Sequence, residues 1–412
     1  MRILFLSHYF PPEVNAPASR TFEHCREWVR AGHHVTVITC APNHPRGEVY
    51  PGYRNRFVQR ENVEGIDVVR VWSYMAANEG FAKRTANYVS YMIMAILVAP
   101  WLARTDVVIS TSPQFFNGLA GYAVSRLKRT PWVLEIRDLW PESILAVGAI
   151  KNPRVIRFLE WLEMFAYRKA DRIVPVTDAF KNYMVDKGVD AAKIEVIKNG
   201  VDLQRYQPAQ KDPELVKEQG LDGRFVASYF GTHGMAHHLE TILDAAELLS
   251  DRNDIVFLLV GDGAERERLL AEKERRKLNN VIMLPQQPKD RMPALWASSD
   301  ASLVLLKKFD LFKTVIPSKI FESMAMQCPI LLGVDGEARQ IVEQAGAGLY
   351  CEPENAVSLV ENLERLVQDR ALGERMGEAG RECVSRLFDR RVLATRYLKL
   401  LENALWVSPA NL

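Results

Sequence analysis

The chain has 412 residues, too many for one ordinary hydrophobic core, so two domains of roughly 200 residues each are expected. Its 53 basic and 51 acidic residues leave a net charge of only +2, which gives no global field for nucleic acid. Five cysteines (Cys25, Cys40, Cys328, Cys351 and Cys383) are odd in number and lack C-x-x-C spacing, which argues against a disulfide framework or a zinc site and fits a reducing cytosol.

The opening stretch "MRILFLSHYF" has a basic residue and an apolar run, but no small-residue cleavage site follows, and Pro11-Pro12 ends the run. It reads as a first strand, not a signal peptide. Short β-branched runs then alternate with longer amphipathic patterns such as Arg20–Ala31. The strands expected are 2–7, 33–40, 67–72, 106–111, 132–138, 172–177 and 194–199. Between them lies the apolar segment "YVSYMIMAILVAPWLA", 88–103, flanked by Lys83, Arg84 and Arg104. A spanning helix needs about 20 apolar residues, so this one is short. It is either a buried core helix or a monotopic helix whose apolar face enters one leaflet.

A polar, Pro-containing stretch at 199–214 separates the first series from a second. The second has strands at 225–231, 255–261, 281–285, 301–306, 329–334 and 348–352. Alternating helices and continuously apolar strands mean parallel sheets covered on both faces. The fold class expected is therefore α/β, with two doubly wound, Rossmann-like domains. Their spans are 1–200 and 201–388, and a C-terminal segment at 389–412 returns to the first domain. Val392, Leu393, Tyr397, Leu400, Leu401 and Leu405 recur in that segment at roughly helical spacing and must be buried somewhere.

In open parallel sheets ligands bind beyond the carboxyl ends of the strands. After "VASYF", Gly231 and Gly234 punctuate a strand-to-helix turn, and Gly261, Asp262 and Gly263 repeat the theme. Glycines there let backbone approach a ligand, and free amides at a helix start favour an anion. Either turn can equally be no more than a tight connection. In "VIPSKIFESMA", Pro317 sits where a helix can begin and Ser318 can cap it. Lys319 and Glu322 then share one face at i and i+3. A lysine in a first turn opposes the macrodipole unless an anion lies nearby, which points to a bound phosphate. Glu322 is suited to accept hydrogen bonds from two hydroxyls, as of a ribose. The alternative is a solvated Lys/Glu pair worth under about 1 kcal/mol.

Five stretches in order, "PPEVNAPASR", "RDLWPES", "VIKNGVD", "FGTHGMAHHLETILDAA" and "PSKIFESMA…PILLGVDGEA", resemble the retaining glycosyltransferases of family 4, which have the GT-B fold. The resemblance covers nearly the whole chain. Within the family it is nearest the bacterial branch that builds lipid-linked O-antigen or capsule repeats, including N-acetyl-L-fucosamine transferases. It implies that the first domain binds acceptor and the second a nucleotide sugar. Glu322 resembles the second Glu of the family's EX7E motif, which holds the ribose. Lys319 would meet the diphosphate, with Ser318 and the amides near Gly231, Thr232, His233 and Gly234 assisting. Gly336 and Glu337 would hold the transferred sugar, Gly261 would join the donor loops, and Gln287 in "PQQPKD" would line the base. Arg137 and Asp138 fall where many relatives carry a His-Asp pair. Glu13 and Asn15 belong to a first loop beside acceptor and diphosphate.

The departures are specific. Thr314 stands where the first EX7E Glu would lie, Thr232 and His237 replace two cations that many relatives use on the diphosphate, and Asn15 replaces a common Gly. The resemblance implies front-face attack, with Lys319, Arg137 and Asp138 as catalytic residues, since no second carboxylate is positioned as a nucleophile. No metal or cofactor is expected; His233, His237 and His238 are too loosely spaced across a glycine turn. The partners expected are a nucleotide sugar, a UDP sugar by resemblance, and a lipid-linked saccharide acceptor. The membrane surface would be met through 88–103, on the inner face of the cytoplasmic membrane. A nucleotide-sugar 2-epimerase of the same fold, and a non-catalytic nucleotide-sugar binder, are the alternatives.

Overall fold

The computed structural model describes residues 1–44, 47–75, 81–146 and 152–406. The chain divides into two compact units, Met1–Lys198 with Arg391–Leu412, and Asn199–Arg390. Residues 407–412 of the expected C-terminal segment lie outside the described residues.

The first unit runs β1 (Arg2–Leu6), α1 (Ala16–Arg30), β2 (His34–Cys40), β3 (Val58–Val63), β4 (Ile66–Val71), α2 (Phe81–Val98), β5 (Val107–Thr111), α3 (Phe115–Lys128), β6 (Trp132–Ile136), α4 (Glu142–Ala146), α5 (Pro153–Lys169), β7 (Arg172–Pro175) and α6 (Asp178–Asp186). Its sheet has the order β3-β4-β2-β1-β5-β6-β7 and is parallel except where β3 runs against β4. The chain changes direction across the sheet between β1 and β5, so the loops after these strands open at a topological switch point. Strands β5 and β6 are buried along their whole length, as apolar runs covered on both faces must be.

Two strand expectations fail, each for a local reason. The segment 194–199 runs beside β7 with one bridge, Ile173 to Ile194, and two backbone hydrogen bonds, Glu195 to the Ile173 carbonyl (3.0 Å) and Ile197 to the Pro175 carbonyl (3.1 Å), without forming a strand. The carbonyls of Ile197 and Lys198 are taken by the Arg20 guanidinium, at 2.9 and 2.8 Å, and so are not offered to a ladder. Conversely, β3 (VQRENV) is an antiparallel edge strand with an alternating, half-exposed pattern, polar enough to read as loop.

The second unit comprises α7 (Pro213–Glu218), β8 (Phe225–Phe230), α8 (Glu240–Leu248), β9 (Ile255–Val260), α9 (Arg266–Arg276), β10 (Val281–Leu284), α10 (Met292–Ala297), β11 (Ala301–Leu305), α11 (Lys319–Ala325), β12 (Ile330–Gly333), α12 (Glu337–Ala345), β13 (Gly348–Tyr350), α13 (Ala356–Gln368) and α14 (Arg370–Leu387). Its sheet, β10-β9-β8-β11-β12-β13, pairs in parallel throughout. Here the switch lies between β8 and β11, which places the loop after β8 over it.

The last helix, α15 (Arg390–Trp406), buries Leu393, Ala394, Tyr397, Leu400, Leu401 and Ala404 in the first unit's core with Phe5, Trp28 and Val35. Trp28 donates its indole N–H to the Ala394 carbonyl at 2.9 Å, which fixes the helix lengthwise. Val392, expected in the stripe, is 48% exposed.

Candidate active site

The loop after β8 is held on both sides. His233 donates its backbone N–H to the Asp262 carbonyl (2.9 Å), and its own carbonyl accepts from Glu265 (2.9 Å), so the loop is tied to the turn after β9. On the other side Lys307 donates to the Ala236 carbonyl (2.9 Å), which ties it to the end of β11. The glycines permit this packing. A Cβ on Gly261 would lie 1.8 Å from the Gly231 carbonyl oxygen, and one on Gly263 would lie 2.4 Å from that of His233. The second glycine pair thus serves contact between two loops, the close backbone approach that only glycine allows.

Lys319, the first residue of α11, reaches into this construction. Its Nζ stands 3.5 Å above the Tyr229 ring and beside Gly231. The residue as a whole is partly exposed, yet Nζ itself is buried and has no hydrogen-bond partner. Burial pulls its pKa down to about 7, and only the charge of Glu322, one turn on, opposes this. His233 and His237 flank the same tyrosine ring at 6.0 and 5.9 Å. Burial, with the nearby Arg266 and Lys319, takes His233 to about 4. Burial and Lys319 take His237 to about 3. Both ring nitrogens of His233 and the Nε of Arg266 are buried without partners. Lys319 and His233 therefore meet beside one tyrosine with their side-chain nitrogens unpartnered and the Nε of Arg266 nearby, whereas His237 is engaged through Nδ1 with the Leu305 carbonyl (3.4 Å). Such a set is suited to an anion carrying several acceptor oxygens.

Ser318 does not cap α11. It occupies the N-cap position, but its backbone is already helical (φ −59°, ψ −25°) and its side chain makes no cap hydrogen bond. Its carbonyl instead accepts from Phe321 (3.1 Å). The turn before α12 lies close by in the fold. Gly336 sits at φ +77°, and a Cβ there would be 2.1 Å from the Lys313 carbonyl oxygen, which leaves glycine as the residue that fits. That contact sets Gly336 and the buried Glu337 against the turn carrying Thr314. The Thr314 hydroxyl is spent within its own turn, donating to the Leu311 carbonyl at 2.7 Å. Gln287 follows β10, where its side chain donates to Pro285 (3.1 Å) and accepts from Arg291 (3.4 Å). Among the described residues no group of three or more His, Cys, Asp or Glu side chains could hold a metal.

The remaining predicted residues lie in the first unit. Arg137 and Asp138 follow β6, and both backbone amides donate to the Ser112 hydroxyl, at 2.6 and 3.3 Å. Burial pushes Asp138 up to about 6, against hydrogen bonds from Ser143, Leu139 and Trp140. Glu13 is buried and accepts from the amides of Asn43 and His44 (2.9 Å each) and Phe10 (3.4 Å), so its carboxylate braces the loop after β1. Asn15 caps α1, accepting from Ala18 at 2.8 Å. Sequence reasoning missed Tyr229 and Arg266. The first sits inside a uniformly buried strand, and the second in a charge-rich helix that reads as solvated surface.

The chain matches two domain families, Glycosyl transferase 4-like domain over residues 15–200 and Glycosyl transferases group 1 over 212–383. Relatives align along much of its length. One carries the name of a colanic acid biosynthesis glycosyl transferase, WcaI of Escherichia coli (strain K12), 26% identical over 97% of this chain and 99% of the relative. Another is named as a glycosyltransferase, WbjE of Pseudomonas aeruginosa, 27% identical over 71% of this chain and 73% of its own length. Among solved structures, Anabaena Alr3699/HepE in complex with UDP-glucose superposes with a TM-score of 0.72 at 18% identity, covering 98% of this chain and all of the other. The chain belongs to the family 4 type of glycosyltransferase, with the two parallel-sheet domains of the GT-B fold.

Proposed function

We propose that the protein is a retaining glycosyltransferase that moves a sugar from a UDP donor to a lipid-linked saccharide in bacterial surface-polysaccharide assembly. The observation that carries this reading is Lys319, whose buried amine has no partner where the loops after β8 and β9 converge. A diphosphate there would restore its charge and collect the unspent donors of His233 and Arg266. Glu322, on the same helix face, would take the ribose hydroxyls, and Gly336 and Glu337 the transferred sugar. Catalysis then consists of stabilising the departing diphosphate and orienting the acceptor hydroxyl, with Arg137 and Asp138 on the acceptor side. HepE, crystallised with UDP-glucose, and WcaI, named for colanic acid biosynthesis, support the donor and pathway classes. An N-acetylated amino-deoxyhexose donor rests on the resemblance to fucosamine transferases.

Peripheral contact with the inner membrane surface is supported by α2. Tyr91, Met94, Ala95 and Val98 are buried, whereas Ile93, Leu97 and the following Trp101 are exposed. The segment thus has both a core face and an outward apolar one. Among the described residues no helix is long and apolar enough to cross a membrane. A turnover panel tests the whole reading: UDP- and GDP-sugars, with and without a lipid-diphosphate monosaccharide. Transfer from a UDP sugar only with acceptor present is the result expected. Donor turnover without acceptor would instead identify an epimerase, and donor binding with no turnover a non-catalytic binder.

A further inference from the structure

The helices of the first unit form two unlike layers. The crossovers from β4 to β5, β5 to β6 and β6 to β7 all step the same way across the sheet, so right-handed connections put α2, α3 and α5 on one side. The β1-to-β2 crossover steps back and puts α1 on the other, where Trp28 ties it to α15. Among the described residues, α1 and α15 expose one large apolar side chain, Val392. On the opposite side α2 and α5 each pack against α3, and this layer exposes Leu127, Phe158 and Trp161 besides Ile93, Leu97 and Trp101.

Helix α5 supplies the part of this surface that α2 does not explain. It turns Leu159, Glu163, Ala166 and Tyr167 inward. Its other face carries Arg154, Phe158 and Trp161 at i, i+4 and i+7, with Arg157 beside them. Phe158 and Trp161 are 57% and 58% exposed and stack at 6.1 Å, and Trp161 stacks on Phe165 at 5.9 Å, so the outer rings are held together rather than splayed. Arg154 and Arg157 lie in the first two turns with no acidic residue in the first, where a cation opposes the macrodipole unless an anion comes near. Arg157 reaches only the Pro153 carbonyl of its own helix, at 3.4 Å. Across α2, α3 and α5, eight Lys or Arg stand against two Glu, and one of these, Glu163, is buried and held by Tyr167 and Lys187. Exposed rings set among unpaired cations fit the boundary of an anionic bilayer, with the rings at the acyl edge and the guanidiniums among phosphates. A second copy of the same layer would instead bring cations against cations.

We infer that α5 is a second contact with an anionic lipid surface, which lays the whole α2–α3–α5 layer on the bilayer, an inference that rests on the protein being peripheral on the membrane. The sheet then lies along the bilayer, and the loop after β6 that carries Arg137 and Asp138 opens sideways at its surface. The test is sedimentation of the full chain with vesicles of phosphatidylethanolamine and phosphatidylglycerol, or of phosphatidylcholine alone. The wild type should bind the anionic vesicles at least about tenfold more tightly than the neutral ones. Phe158→Ser with Trp161→Ser should weaken that binding at least about tenfold at an unchanged melting temperature, because both side chains are exposed. Arg154→Gln with Arg157→Gln should weaken binding to anionic vesicles about tenfold and leave the neutral ones unchanged. If both α5 variants bind as the wild type does while Ile93→Ser with Leu97→Ser binds less, α5 is not at the membrane and the α2 contact stands alone. Loss in the α5 variants with none in the α2 variant would sink the α2 contact alone. No vesicle binding by the wild type, or a dimer in sedimentation velocity that Phe158→Ser with Trp161→Ser abolishes in its place, would overturn both.

Discussion

Two clusters of buried charge, one in each unit, are built in opposite ways. In the first, Arg20 and Glu135 are each 1% exposed and lie 3.0 Å apart, and every surrounding valence is used. Arg20 also donates to the carbonyls of Ile197 and Lys198, and Glu135 accepts from Thr111 at 2.7 Å. Arg70, likewise buried, bonds Glu61 (2.6 Å) and the carbonyls of Cys40 and Pro11. In the second unit Lys319, His233 and the Nε of Arg266 are buried with their donors unmet. Satisfied charges hold a fold together, whereas unsatisfied ones of one sign mark a place kept for a ligand of the other. Burial alone therefore does not identify a functional group; unpartnered cationic groups gathered in one loop cluster are the stronger sign.

Substitutions can break this contrast. The largest effect expected is on stability. Arg20→Met leaves the Glu135 carboxylate buried without its cation and should cost about 3–5 kcal/mol in denaturant unfolding. Lys319→Met should do the reverse. Turnover falls by about 10²–10³, as when a donor to developing charge is removed, while the ligand-free protein gains stability below pH 7, where the buried amine would be charged. The sign at higher pH follows from the depressed pKa. The folded-state amine titrates near 7 and the unfolded one near 10.4, so the unfolded chain binds more protons between them. Lys319 thus makes the ligand-free protein gain stability as pH rises from 7 towards 10, and Lys319→Met should flatten that rise in a pH series of melting temperatures. If Lys319→Met unfolds the protein as Arg20→Met does, the contrast between the units is wrong.

Smaller effects sharpen it. Glu322→Gln should weaken UDP about tenfold by calorimetry, the loss of a charged acceptor to ribose hydroxyls. It should weaken 2′-deoxy-UDP by less. Thr314→Ala should change turnover by less than about twofold, because its hydroxyl is spent on the Leu311 carbonyl. A larger loss would mean that this position meets the donor after all.

The alternation of apolar strands and amphipathic helices made both sheets legible in the sequence, because parallel strands buried on both faces carry a strong signal. Edge elements were less legible. Strand β3 is polar because it is an edge, and 194–199 has the side-chain pattern of a strand but gives its carbonyls to Arg20, a partner 177 residues away in sequence. At the candidate site, the Lys319/Glu322 spacing and the glycine turns stood out because local backbone rules require them. Tyr229 and Arg266 did not, since what distinguishes them is what packs against them and whether their donors are met, which only packing determines. At Glu13 packing adds a role that its place in the first loop does not reveal: its carboxylate braces three backbone amides.

The central claim is that Lys319 waits unpaired for a diphosphate, and the proton balance of binding reads it directly. Calorimetry of UDP binding at pH 8, in two buffers of different ionisation enthalpy, reports protons taken up per ligand bound. With the free amine near pKa 7 and the bound one restored by the diphosphate, uptake close to one proton is predicted for the wild type, and none for Lys319→Met. UDP binding with no proton uptake, or with equal affinity for Lys319→Met, would contradict it.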